Sequence, residues 1–132
     1  MSIIYADTSA VLKRAIPEAE TTAVWSAFEQ FQHRGDLVIS SSLTWLEAWR
    51  SLRRRAYADV EAGTSLTMSG VDEFPLDDGV LVAARRIGDN DLRSLDAIHL
   101  ASAIMAGAHT MMTFDGRLAE AAQAAGITVL EF

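Results

Sequence analysis

The chain has 132 residues, 50% apolar and 22% charged, which suffices for one packed domain and excludes a disordered chain. It contains no cysteine, so a disulfide framework, a thiol nucleophile and a thiolate zinc site are all excluded. Its formal charge of −7 argues against the usual basic nucleic-acid binder.

Ile3–Ala6 is a short buried strand, and Thr8–Ala15 a helix that stops near Pro17. Glu18–His33 is a second helix, because Val24, Phe28 and Phe31 recur at helical spacing and Gly35 can close it. Leu37–Ser40 is a strand. Ser41 and Ser42 offer caps for a helix over Leu43–Arg55. Tyr57–Met68 is a further helix with Gly63 as its weak point, and Val71–Phe74 an edge strand ended by Pro75. Asp77 and Asp78 lead into a helix through Arg86, and Gly88–Asp91 is a turn. Leu95–Ala108 is a helix, Thr110–Thr113 a strand, Gly116–Ala125 a helix and Ile127–Leu130 the last strand. Strands alternating with helices predict βαβ units, a mainly parallel sheet and helices on both faces: an α/β/α sandwich in one domain spanning 1–132. With no basic leader, and no run near the ~20 apolar residues of a spanning helix, the expectation is a cytoplasmic protein with no membrane partner.

Four acids carry the functional signal: Asp7, Glu47, Asp96 and Asp115. Asp7 closes the first strand, Asp96 opens the apolar segment Ala97–Ala108, and Asp115 stands between a strand and a helix. In a parallel sheet such positions gather at the carboxyl edge, where ligand sites form. Each aspartate taken singly is well explained as a helix cap. Capping gives no reason to bring several helix starts to one edge, where two carboxylates ~4 Å apart repel by about 4 kcal/mol at an effective dielectric of 20. A hard cation such as Mg²⁺ would relieve that repulsion, which points to metal-dependent phosphodiester hydrolysis.

Glu47 lies inside a helix, where it could pair with Arg50 three residues on or belong to the partly apolar face of Leu43 and Leu46. Thr8, Ser9 and Thr113 place hydroxyls beside the acids, able to hydrogen-bond the carboxylates or a water on a cation, or simply to cap. His99 sits three residues after Asp96 and is expected to be a hydrogen-bonded core residue rather than a general base. Arg50 and Arg54 share a helix face that could grip a phosphate backbone, or serve as a solvated, salt-bridged surface. Trp45, Trp49 and Leu52 occupy another stripe of that helix, expected to face the core, with an apolar patch that meets a partner as the alternative. The site acids supply four of the negative charges, which one or two divalent cations would largely cancel.

Four stretches, in order, resemble the motifs of PIN-domain ribonucleases of the VapC toxin type. They are Tyr5-Ala6-Asp7-Thr8-Ser9-Ala10, the internal Glu47, Leu95-Asp96-Ala97-Ile98-His99-Leu100-Ala101-Ser102-Ala103, and Thr113-Phe114-Asp115-Gly116-Arg117-Leu118. The resemblance runs from end to end and implies a five-stranded parallel sheet between helix layers. It implies a Mg²⁺- or Mn²⁺-dependent endoribonuclease that cuts RNA, dimerises with itself and is held inactive by a cognate antitoxin. Asp7, Asp96, Asp115 and Glu47 would be its catalytic and metal-holding acids, supported by Thr8, Ser9 and Thr113, with Arg50 and Arg54 available to RNA or antitoxin. A non-catalytic interaction domain whose acids are only caps is the alternative. A phosphoacceptor domain is disfavoured, because Asp7 is followed by Thr8 and Ser9 rather than a second acid, and the only lysine is Lys13.

Overall fold

The computed structural model describes residues 1–132, and its five strands pair in parallel in the order β3-β2-β1-β4-β5. They are β1 (Ile3–Ala6), β2 (Leu37–Ser41), β3 (Asp72–Phe74), β4 (Thr110–Met112) and β5 (Thr128–Val129). Seven helices connect them: α1 (Thr8–Val11), α2 (Thr21–Arg34), α3 (Ser42–Arg54), α4 (Val60–Thr67), α5 (Asp78–Ala84), α6 (Ser94–Met105) and α7 (Gly116–Ala124).

Alternation along the strands divides the core into two layers. Ile4 and Ala6 of β1, Val38 of β2 and Met112 of β4 pack against Val11, Val24, Phe28 and Phe31 on one face. Tyr5, Ile39 and Met111 pack against Leu100, Ala103, Leu118 and Ala122 on the other. Each of the larger apolar side chains contributes about 1.5–3 kcal/mol on burial. The expected α/β/α sandwich and its five parallel strands are therefore present.

Several boundaries differ from those expected, for local reasons. The first helix passes after Val11 into a 3₁₀ turn over Leu12–Arg14. The second begins at Thr21 and ends at Gly35, whose φ of 70° supplies the left-handed cap. Tyr57 lies outside α4, which starts after Asp59 because that carboxylate accepts the Ala62 N–H. Gly63 proves to be a close approach: a Cβ there would stand 2.5 Å from Tyr57 Cε1 and 3.0 Å from Leu52 Cδ1. On α3, Leu52 is fully buried and Trp45 partly so, but Trp49 is 41% exposed. Trp49 is thus a surface residue.

One charge is buried within the first layer. Arg14 is 6% exposed, takes part in none of the chain's ion pairs, and stacks 3.7 Å from the Phe28 ring centroid. One guanidinium nitrogen donates to the Thr67 carbonyl at the end of α4, while Nε has no partner. Burial lowers its pKa to about 10, so it remains charged at neutral pH. Arg14→Ala is expected to cost about 2–4 kcal/mol in a urea melt, through lost packing as much as lost charge. Arg14→Met, which refills the volume without a charge, should recover most of that.

Candidate active site

The order β3-β2-β1-β4-β5 makes the gap between β1 and β4 the point where connections turn from one side of the sheet to the other. Ligand crevices form outside the carboxyl ends of strands at such a point. Asp7 directly follows β1, and Thr113 to Asp115 directly follow β4, so both flank this gap. The Asp7 N–H extends the ladder by donating to the Met112 carbonyl at 3.1 Å, which pins the two strand ends together.

Asp7 is 4% exposed and caps α1, its Oδ1 accepting from the Ala10 N–H at 3.0 Å and from Ser9 Oγ at 2.7 Å. Its Oδ2 accepts from Thr113 Oγ1 at 2.6 Å. Burial pushes the Asp7 carboxyl pKa up, and these hydrogen bonds offset only part of that. Ser9 and Thr113 also tie the two strand ends to each other. Ser9 Oγ accepts from the Phe114 N–H at 2.8 Å, and Thr113 Oγ1 accepts from the Asp115 N–H at 3.0 Å. Asp115 caps α7 through Oδ1, which accepts from the N–H groups of Arg117 and Leu118.

Glu47 reaches the site from α3 and does not pair with Arg50. Its Oε1 accepts from Thr8 Oγ1 at 2.7 Å and meets His99 Nε2 at 2.7 Å. Burial pushes its pKa up, but the hydrogen bonds of His99 and Thr8 outweigh that and leave it lowered. Asp96 is different again. It is the third residue of α6, whose cap position is Arg93, so it is no cap. Burial raises its pKa first, and the negative charges of Asp115 and Glu47 raise it further, with Arg93 opposing. The structure therefore brings Asp96 into electrostatic reach of Asp115 and Glu47, and helix capping accounts for only Asp7 and Asp115.

His99, expected as a hydrogen-bonded core residue, is one: it is 3% exposed and bridges Glu47 to the Tyr5 hydroxyl. Tyr5 entered the sequence reading only as part of a motif. Its partners, His99 and the Ser41 N–H, come from distant segments, and only the alternation of β1 hints at the face it occupies. Arg50, Arg53, Arg54 and Arg55 are all exposed on or beside α3 and form no ion pair, so the surface is solvated without being salt-bridged.

The donor set suits a hard cation, because every candidate atom is a carboxylate oxygen and each carboxylate keeps accepting capacity unused. On Glu47 and Asp115 the protein donors crowd one oxygen and leave the other free. No three His, Asp or Glu side chains converge closely enough to cage a bare ion. A surface depression of about 740 Å³ between α7 and the turn around Asp89 includes none of the four acids. At the carboxyl edge of the sheet Asp7 is buried, while Glu47, Asp96 and Asp115 are half-buried.

Fold and site together define a parallel α/β domain with an acidic crevice at the turning point of its sheet. The PIN domain profile matches residues 4–124. Ribonuclease VapC47 of Mycobacterium tuberculosis is 36% identical over 118 residues, covering 88% of this chain and 87% of that protein. Ribonuclease VapC35 of the same species is 35% identical over 133 residues, covering 97% and 96%. The crystal structure of M. tuberculosis VapC20, a Sarcin-Ricin loop cleaving toxin, superposes with a TM-score of 0.70 at 20% identity, covering 95% and 96% of the two chains. That of VapBC2 from Rickettsia felis, bound to a DNA fragment from their promoter, gives 0.71 at 11% identity and 97% of both. The chain belongs to the PIN domain family, and within it to the VapC ribonucleases.

Proposed function

We propose that this protein is a Mg²⁺- or Mn²⁺-dependent endoribonuclease acting as the toxin of a VapBC-type pair, restrained by a cognate antitoxin protein. The observation that carries this reading is Asp96. It caps nothing and is pressed by the charges of Asp115 and Glu47, an arrangement that costs a metal-free protein stability and serves a cation. A non-catalytic domain would explain Asp7 and Asp115 as caps but leaves Asp96 and Glu47 without a reason to meet.

In this reading Asp7, Asp96, Asp115 and Glu47 hold the cation, some of them through water. When bound, the cation would neutralise charge on the phosphate and acidify the attacking water. Thr113 and Ser9 keep the Asp7 carboxylate in one orientation, and Thr113 couples it to the Asp115 backbone. Thr8 does the same for Glu47. The decisive experiment is incubation of purified, antitoxin-free protein with total and transfer RNA, in Mg²⁺ or Mn²⁺ against EDTA. Discrete cation-dependent cuts support the reading, and their absence across RNA classes removes it.

Arg50 and Arg54, exposed and unpaired on α3, are the cations placed to meet RNA phosphates. Each of Arg50→Ala and Arg54→Ala is expected to weaken RNA binding uniformly across sequences and to flatten the slope of log affinity against log salt by about one. Nitrocellulose filter binding over a salt series checks this, and unchanged slopes would assign RNA contact elsewhere. Self-association is part of the same proposal. Leu81 and Val82 of α5 and Ile104 and Met105 of the adjoining α6 are 41–48% exposed, an apolar surface of the kind a homodimer covers. The long helices needed to cross a membrane are absent.

A further inference from the structure

We propose that Tyr5 and His99 are positioning residues for Glu47, forming a one-directional chain of hydrogen bonds that presents a single Glu47 oxygen, Oε2, to the acidic crevice. This rests on the nuclease reading for its purpose, though not for its geometry.

The direction of the chain follows from its two ends. The Ser41 N–H can only donate, and it donates to the Tyr5 hydroxyl oxygen at 3.1 Å. The phenol hydrogen then has His99 Nδ1, 2.7 Å away, as its acceptor. An accepting Nδ1 leaves the ring proton on Nε2. Nε2 stands 2.7 Å from Glu47 Oε1, and an ionised carboxylate can only accept. The order is therefore Ser41 N–H to Tyr5, Tyr5 O–H to His99 Nδ1, and His99 Nε2–H to Glu47. A doubly protonated ring would take Nδ1 away as acceptor and leave the buried phenol hydrogen only the Ser40 and Thr44 hydroxyls beside it.

Thr8 Oγ1 donates to the same Oε1 at 2.7 Å, so that oxygen has two donors and Oε2 has none. Tyr5 is fully buried and His99 3% exposed, and their rings meet edge to face at 5.9 Å between centroids. Such packing holds both side chains in fixed rotamers. The chain also spans three elements. Tyr5 lies two residues before Asp7 on β1, His99 lies one turn after Asp96 on α6, and Glu47 comes from α3. The contact that orients Glu47 thus sets it in register with the elements that carry Asp7 and Asp96.

Three measurements test this on the intact protein. In ¹⁵N-histidine-labelled protein, long-range ¹⁵N–¹H spectra should show His99 with a bare Nδ1 and a protonated Nε2. Tyr5→Phe, which keeps the ring and removes the hydroxyl, should abolish that single tautomer. Mn²⁺ binding followed by electron paramagnetic resonance should weaken about 10–100-fold in His99→Phe, the usual cost of losing a hydrogen bond behind a ligand. His99→Gln, whose amide N–H can stand where Nε2–H stands, should restore most of it. A protonated Nδ1 in the unaltered protein overturns the proposal without any variant being made. So does wild-type Mn²⁺ affinity in folded His99→Phe or, should that variant not fold, in Tyr5→Phe with a scrambled tautomer. Unaltered protein that cuts no RNA would remove the nuclease reading alone, since the nitrogen shifts still report the chain.

Discussion

Asp96→Asn should abolish cation-dependent RNA cleavage, lowering the rate by at least about 10²-fold while leaving the fold intact; charge-stabilising groups at reacting centres commonly carry effects of this size. Asp96 is the cleanest of the four acids to remove. Asn is nearly isosteric, and only burial and neighbouring charges, not hydrogen bonds, act on this carboxylate. Loss of its negative charge from the first turn of α6 costs about 0.3–1 kcal/mol against the helix dipole. Relief of repulsion from Asp115 and Glu47 opposes that cost, so the melting temperature should move little. The same change at Asp7 would be ambiguous. An amide there meets donors from Ser9, Ala10 and Thr113 on both sides and cannot accept from all of them. Unaltered cleavage by folded Asp96→Asn, measured on the same RNA in the same Mg²⁺, would refute the assignment of this acid.

Divalent cation should stabilise the protein strongly, and more so at high pH. A ligand that binds only the folded state adds about 2.7 kcal/mol at ~100 times its dissociation constant. For a domain of this length that is roughly 8–13 °C in melting temperature, at about 3–5 °C per kcal/mol. The pH dependence follows from the raised carboxyls. Burial raises the pKa of Asp7, and burial with the charges of Asp115 and Glu47 raises that of Asp96. Above an ordinary aspartate pKa of about 3.9 the unfolded chain has released these protons while the folded protein still holds them, so stability falls as pH rises through that window. Glu47, with a lowered pKa, contributes in the opposite sense, but its contribution is lost only below its ordinary range near pH 4.3. In EDTA, the contribution of Asp7 and Asp96 should therefore be smaller at pH 7.5 than at about pH 4, where the unfolded chain begins to release these protons, and Mg²⁺ should diminish the difference. In Asp96→Asn the EDTA slope should be shallower. Differential scanning fluorimetry at both pH values, with and without Mg²⁺, checks all three statements. A melting temperature indifferent to Mg²⁺ up to tens of millimolar would count against a cation site on the folded protein.

Local chemistry made much of this protein legible before any contact was known. Strands β1, β2 and β4 are short apolar runs bounded by turn or cap residues, and their identities depend on neighbours within a few positions. Asp7, Asp59, Asp77 and Asp115 all cap helices, and Ser41 caps α3, because capping is a contact over two or three residues. The acids at strand ends and helix starts were visible for the same reason, and parallel topology sends such positions to one edge. Tyr57 was misplaced in α4 because apolar periodicity extends beyond the cap that starts the helix. Trp49 is on the surface rather than in the core because hydrophobicity alone does not say which side of α3 its neighbours cover.

The sequence by itself determined the alternation of strands and helices and the two-layer core, and it put Asp7, Asp96 and Asp115 at strand ends and helix starts, since each follows from local propensity, periodicity and spacing. Only the tertiary structure decided which partners those acids meet. Thr113 reaches Asp7 across 106 positions, His99 reaches Glu47 across 52, and Tyr5 reaches His99 across 94. Contacts at such separations are chosen by the order in which strands pair and by the faces their side chains take. A one-dimensional pattern carries no record of them. The loads on Asp96 and the single free oxygen of Glu47 arise only when β1, α3, α6 and the end of β4 come together, because burial and charge repulsion depend on distance in space.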